Sequence, residues 1–461
     1  MEQFMKYQSP FSWRYGSREM RRIWSEQEKR LLWRKIWVAL AEAEAEFGLI
    51  SQAQVRELKQ HQEELDIDRS LEIEREIHHD LMAELNVFAG QCPGAGGILH
   101  LGATSMDIKD NTVMLQIQRS LDLVLRSLHG LLEDLLDQIE RHQDLTVIGF
   151  THLQPAEPTT LGYRLAFTGQ DLVDGYQNLT RLRQTMRGKG FTGAVGTSAS
   201  FASLIGRDRL PAFQARLEEL LGVGFSPVVS QTYPRRQEYL LLSELAGIGA
   251  ALYKFAFDLR FLQSPPLAEL SEPFGDHQVG SSAMPFKRNP IQAEKIDSLA
   301  RWLAQLPRTA WDNAAHSLLE RTLDDSANRR TILPEAFLVM DELLTASRKI
   351  ITDLAVYEQG IQRNVASFGP FAALEPVLMA VSKAGGDRQE MHAVLQSHAR
   401  LAWTAVQDGE PNPLEDLLLE DERIAGYLTA SQLSSLMEVS GYLGDARYRT
   451  KDFLRTAREL L

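Results

Sequence analysis

LQIQRSLDLVLRSLHGLLEDLLDQIERH, Leu115 to His142, carries apolar side chains at Leu121, Val124, Leu125, Leu128, Leu131, Leu132, Leu135 and Ile139. Steps of three and four put these on one face of an α-helix, and no period-two alternation competes with them. At ~1.5 Å per residue the helix runs roughly 40 Å, two to three times the usual globular length. Similar segments run from about Met20 to Phe47, closed by Gly48 as a C-terminal cap, from Thr160 to Arg187, and from Arg235 to Gln263. The expected fold is all-α, and helices this long predict a bundle larger than one chain can cover.

The chain has 461 residues, more than the ~250–300 at which one core usually stops growing, so two or three domains are expected. Apolar content of 44% and charged content of 24% fit an ordinary globular chain. No apolar run approaches the ~18 uncharged residues of a membrane span. The first residues lack the apolar core and cleavage site of a secretory signal, so the cytoplasm is the expected compartment. Cys92 is the one cysteine, which excludes an intrachain disulfide and a structural Cys-based zinc site. A net charge of −13 argues against general nucleic-acid binding, so an anionic ligand needs a local cationic pocket. The Gly-rich run GKGFTGAVGTSAS, Gly188 to Ser200, has neither the spacing of a dinucleotide fingerprint nor that of a P-loop. No cofactor and no metal are expected. The adjacent His78 and His79 lack the spacing of a zinc-binding helix.

One stretch departs from this helical background: GSSAMPFKRNP, Gly280 to Pro290. Asn289 and Pro290 before the periodic run IQAEKIDSLARWLAQL read as the N-cap and first position of a helix. The free amides of that helix end, with Lys287 and Arg288, are expected to converge on an anion, while Ser281 and Ser282 lie on the glycine side of a loop able to close.

GSSAMPFKRNP resembles the signature of the aspartase/fumarase superfamily of lyases. The resemblance extends through SWRYGSREMRRIWSEQEK, HHDLMAEL, ILHLGATSMDIKDNT, GFTHLQPAEPTTLG, SQTYPRR, LLERTLDDSANRRTILPEAFL and KAGGDRQEMH, in that order. The blocks around Arg14–Tyr15 and Arg321–Arg330 are similar to the branch that splits N-succinylated purine nucleotides. The resemblance implies three helical domains, taken as 1–104, 105–357 with the signature loop, and 358–461. It also implies a homotetramer whose central domains form one bundle, with each active site shared between subunits.

The implied reaction eliminates fumarate, so a proton leaves the carbon beside a carboxylate and a nitrogen leaves the neighbouring carbon. A carbon acid this weak needs a base in contact and stabilisation of the carboxylate that gathers charge. By resemblance Ser281 is that base, and Lys287 and Asn289 hold the developing charge. His152 is the general acid that protonates the leaving nitrogen, a task suited to a group with an ordinary pKa near ~6.5. Glu294 orients it. Substrate-binding positions implied in the same way are Arg14, Tyr15, His79, Asp80, Thr104, Ser105, Thr151, Gln231, Arg321, Ser326 and Arg330, with His100 as a further contributor. The arginines suit a phosphate because their planar forks match its oxygens.

The chain departs from the family at Ile77 and His78, where many members carry threonine and arginine, and at Lys295, where some carry arginine. A sister lyase or cycloisomerase, to which the run GAVGT is also similar, is a rival reading, opposed by the phosphate-gripping block. A structural protein that has kept the bundle and lost catalysis is another. It would need none of Ser281, Lys287, Asn289, His152 and Glu294.

Overall fold

The computed structural model describes residues 5–275 and 277–461, and 68% of the chain is helical. In chain order the helices are α1 (Arg18–Ile23), α2 (Glu26–Glu46), α3 (Gln52–His61), α4 (Ile67–Ile77), α5 (Asp80–Gln91) and α6 (Ser105–Arg141). A hairpin of β1 (Thr146–Thr151) and β2 (Gln154–Thr160) leads into α7 (Leu161–Thr185), α8 (Ala199–Ile205), α9 (Leu210–Leu221) and α10 (Arg236–Leu262). Then come β3 (Leu270–Ser271), α11 (Ile291–Leu303), α12 (Leu306–Ala315), α13 (Ser326–Thr352), β4 (Ala355–Val356) and α14 (Glu358–Ala372). The last helices are α15 (Leu374–Lys383), α16 (Arg388–Gln407), α17 (Leu414–Leu419), α18 (Glu422–Ala425), α19 (Ala430–Met437) and α20 (Ala446–Leu460).

The helix read from Leu115 begins ten residues earlier, at Ser105, and its 37 residues span roughly 55 Å at ~1.5 Å per residue. Leu121, Val124, Leu128, Leu131, Leu132, Leu135 and Ile139 are all buried. The segment expected as one helix from Met20 to Phe47 is two. Ser25 leaves the helical region and its hydroxyl accepts the Glu28 N–H, starting α2 afresh. Gly48 ends α2 as expected: its φ is +81°, and Leu49 N–H reaches back to the Glu44 carbonyl at 2.9 Å.

The helical reading passes over the hairpin. β1 and β2 pair antiparallel from Thr146 opposite Thr160 to Thr151 opposite Gln154. Pro155 and Pro158 lie in β2, which a two-stranded ribbon tolerates because each strand has an open edge that needs no donor.

Two compact units form. The first comprises Met1–Leu128, Gly175–Ala250 and Leu299–Leu344, and the second His129–Asp174, Ala251–Ser298 and Thr345–Leu461. The first buries Trp37, Phe88 and Ile36 together with a charged set: Glu84 accepts from Arg30 at 2.9 Å and from Arg34 at 2.7 Å. Those two cations tie α2 to α5, which carries Asp80 at its start. In the second unit Val377, Val381, Met391, Leu395, Leu414 and Leu418 form the core of the C-terminal helices. Arg260 donates to the buried Asp297 at 2.7 Å and so fixes α10 against α11.

Candidate active site

In the first unit, α4 ends at His78, which adopts the left-handed conformation of a C-cap with φ 54°, and α5 begins at His79 as N-cap. The two histidines thus sit at a helix junction, on neither helix. His79 Nδ1 accepts the Met82 N–H at 3.3 Å, which places the ring proton on Nε2, 3.2 Å from Ser105 Oγ. Two expected substrate residues are thereby in contact. Thr104 precedes α6, and its N–H donates to Asp107 at 2.8 Å. Asp107 in turn is paired with the buried Lys189 and accepts the Thr192 and Gly193 amides, so the Gly-rich run serves to anchor the start of α6. His100 is occupied by the fold: its Nδ1 accepts from Trp37 Nε1 at 3.1 Å, and burial lowers its pKa.

Asp80, Arg321, Ser326 and Arg330 line one cleft of this unit, joined by Trp24, Lys29, Trp33, Lys109 and Arg329. Its volume of about 190 Å³ is ample for a phosphate group. Asp80 Oδ2 accepts from Arg330 at 3.0 Å and Oδ1 from Lys109 at 2.5 Å. Burial works to raise the Asp80 carboxyl, but Lys109 and Arg330 outweigh it and hold the pKa down at about 2. Burial also lowers the Lys109 pKa, against the pull of Asp80. Lys109 escaped the sequence reading, although it lies four residues after Ser105 and therefore on the same helix face.

The block ERTLDDSANRR reads most simply as a solvated charge run, yet it is half buried in a network. Asp325 accepts from Arg321 at 2.8 Å and from Arg235 at 2.7 Å, and Arg235 also donates to Asp110 at 3.0 Å. Arg329 donates to Glu238 at 2.6 Å and to the Tyr233 hydroxyl at 3.1 Å. Each buried charge has an opposite partner, the condition under which burial is tolerated. The result aims Arg321 and Arg330 from one rigid segment. The Gln231 N–H donates to the Glu320 carbonyl at 3.2 Å, placing Gln231 beside this block. Arg14 is exposed just after a short helical turn at Pro10–Ser12, its guanidinium 5.7 Å from the Trp13 ring and 6.0 Å from that of Tyr15.

The second unit holds the expected acid and base. His152 and Leu153 occupy the turn between β1 and β2 with φ 52° and 60°. This is the left-handed pair of a tight hairpin turn, normally filled by Asn and Gly. Thr151 and His152 are exposed, and among the described residues His152 has no hydrogen-bond partner. Ser281 Oγ accepts the Ala283 N–H at 3.3 Å and the Met284 N–H at 3.1 Å. Two donors aimed at this oxygen favour its anionic form over an undirected hydroxyl. Asn289 Nδ2 donates to the Gly280 carbonyl at 2.9 Å, closing the loop on itself. Only glycine fits at 280, because a Cβ there would lie 2.0 Å from the Lys287 carbonyl oxygen. The side chains of Lys287 and Arg288 are exposed.

The expected free helix end is corrected by the structure. α11 starts at Ile291, and its cap is Glu272, whose carboxylate accepts from Gln292 at 3.0 Å and from Ala293 at 2.9 Å. Glu272 occupies those two amides, so they are not available to an anion. Glu294, half exposed, lies 3.7 Å from Arg260. Among the described residues it makes no hydrogen bond or ion pair with His152 within the chain.

Residues 8–302 match the Lyase family and residues 370–453 the adenylosuccinate lyase C-terminus. The chain is 38% identical to adenylosuccinate lyase of Schistosoma mansoni, covering 99% of this chain and 96% of that protein. It is 37% identical to adenylosuccinate lyase of Saccharomyces cerevisiae, covering 99% and 95%. The fold is similar to that of 3-carboxy-cis,cis-muconate lactonizing enzyme from Pseudomonas putida, with a TM-score of 0.88 at 24% identity over 98% of this chain and 100% of the other. That likeness speaks for the fold alone; the sequence relatives decide the branch. The chain belongs to the adenylosuccinate lyases, the C–N lyases (EC 4.3.2.2) of purine biosynthesis within the aspartase/fumarase superfamily.

Proposed function

We propose that the chain splits adenylosuccinate into AMP and fumarate, and the succinylated carboxamide ribotide of the same pathway (SAICAR) into AICAR and fumarate. Ser281 takes the proton from the carbon beside the succinyl carboxylate. The electron pair forms the new double bond as the C–N bond breaks, and His152 gives its proton to the departing nitrogen. Lys287 and Asn289 stabilise the charge that gathers on the carboxylate, Glu294 orients His152, and Thr104, Ser105, Thr151 and Gln231 hold the succinyl and base portions. Arg14, Tyr15, His79, Asp80, Arg321, Ser326 and Arg330 hold the ribose and phosphate. The observation that carries this reading is the convergence of Arg321, Arg330 and Ser326 on one cleft, because a nucleotide's phosphate needs such a cluster in a chain of net charge −13.

The base assignment is supported by the two amides that donate to Ser281 Oγ. With solvent excluded by loop closure, they lower the cost of an alkoxide. A tetramer in which each site draws on several chains is supported by two features. Among the described residues Glu294 and His152 share no hydrogen bond or ion pair within one chain, and Phe167 of α7 and Phe257 and Phe261 of α10 are exposed on long helices, as if awaiting cover. The start of α6 at Ser105 and of α14 at Glu358 suits a division into three domains at 104 and 357. The cytoplasm is the compartment that fits this metabolism.

The test is fumarate release from each of the two substrates by the purified chain and by Ser281→Ala. The wild type is expected to act on both, and the variant to lose nearly all turnover while still binding substrate. Near-normal turnover in the variant would remove Ser281 from the base role.

A further inference from the structure

The cleft of the first unit is lined by five cationic side chains, Lys29, Lys109, Arg321, Arg329 and Arg330, against two carboxylates, Glu26 and Asp80. Lys29 is matched by Glu26 at 2.5 Å, and Arg329 is matched by Glu238. Among the described residues Lys109 and Arg330 have only Asp80 between them, one on each of its oxygens. Glu84 also takes two cations, Arg30 and Arg34, but that set is sealed in the core with no open wall. Here two cations share one negative charge at the wall of an open cleft, and the Lys109 side chain keeps 24% of its surface exposed.

We propose that Lys109 is a phosphate-binding residue, its ammonium contacting the nucleotide's phosphate alongside Arg321 and Arg330. The proposal rests on the reading of this cleft as the phosphate site. A dianionic group of several acceptor oxygens supplies the charge the cleft lacks. A lysine ammonium is a point charge with three rotatable donors on a flexible stem, so Lys109 can turn one donor to phosphate while keeping another on Asp80. Arg330 uses only Nη2 on Asp80, which leaves the rest of its fork for the ligand. Asp80 thus positions two cations, and Arg330's hold on it keeps the carboxylate paired whenever Lys109 swings away.

The experiment compares Lys109→Gln and Lys109→Arg with the wild type on the succinylated nucleotide and on its dephosphorylated nucleoside, with inorganic phosphate as competing probe. The wild type is expected to prefer the nucleotide in kcat/KM. In K109Q that preference is expected to shrink ten- to hundredfold, mainly through KM, with inhibition by phosphate weakened in step, and K109R is expected to restore most of it. A K109Q enzyme that keeps the full preference, or that loses both substrates in equal proportion, overturns the proposal and leaves Lys109 as a support for Asp80. A wild type with no preference for the nucleotide overturns instead the reading of the cleft as a phosphate site, and the proposal falls with it.

Discussion

The carboxylate of Glu272 accepts the backbone N–H of Ala293 at 2.9 Å, so the helix after the signature loop is capped by a residue from before that loop. Glu272 is buried, and burial raises its carboxyl pKa against the lowering pull of the amides it caps. Both ends of the loop are held by this one group. Glu272→Ala is expected to cost about 1–2 kcal/mol of stability, the usual worth of a lost cap. It is also expected to lower kcat more than KM, because the loop that carries Ser281 loses its anchor. Thermal melting and steady-state fumarate release check both parts. An unchanged kcat would mean that the loop positions Ser281 without this cap.

Glu44 gives a pH dependence that can be read without substrate. It is 1% exposed on α2, and burial pushes its pKa from 4.5 up to about 8. A carboxyl raised by folding contributes stability that is fully present below about 4.5 and is lost as pH rises toward about 8. Between those limits the loss approaches about 5 kcal/mol, since each pKa unit of the rise from 4.5 to about 8 is worth ~1.4 kcal/mol. Glu44→Gln is expected to raise the melting temperature at pH 8 and to leave it nearly unchanged at pH 5. Melting curves at the two pH values decide it, and a variant that melts lower at both would mean that Glu44 is held by partners as an anion.

Arg330→Ala is expected to weaken nucleotide binding by about 2–3 kcal/mol, the worth of charge-assisted hydrogen bonds to phosphate. The check is the dissociation constant for AMP set against that for adenosine. Equal losses for the two ligands would take Arg330 out of the phosphate site.

Assembly and catalysis can be tested together. His152→Ala and Ser281→Ala chains, each inactive alone, are unfolded and reassembled as a mixture. If each site draws its acid and its base from different chains, mixed tetramers contain some sites with both groups intact, and activity returns below the wild-type level. Differently tagged chains report whether hybrids form. Hybrids that form and stay dead would place the acid and the base of each site on the same chain.

The long helices were legible because each buries one continuous stripe, as at Leu121 to Ile139, and a stripe is a local pattern. The hairpin around His152 was not, since two short strands with prolines at 155 and 158 carry little alternation to read. Asn289 and Pro290 read locally as the cap of α11, but the cap is Glu272, 20 residues before Gln292 and beyond any local rule. The residues of the site were named by likeness of motif. Their supports, Arg235 on Asp325 and Lys109 beside Asp80, depend on segments that meet only in three dimensions. Lys109 alone could have been found, by stepping one turn along the helix from Ser105.

The turn at His152 bears on how such a chain can change over time. A histidine and a leucine held at φ 52° and 60° each cost roughly 1–2 kcal/mol relative to residues at ease there. Asparagine or glycine would relieve that strain, so selection for a durable fold alone pushes His152 toward replacement. A continuing need for its imidazole, as in the acid role proposed above, would oppose that drift. In a lineage that no longer required the reaction, this turn is where inheritance would be expected to erode first, and the eroded chain would be the sturdier one.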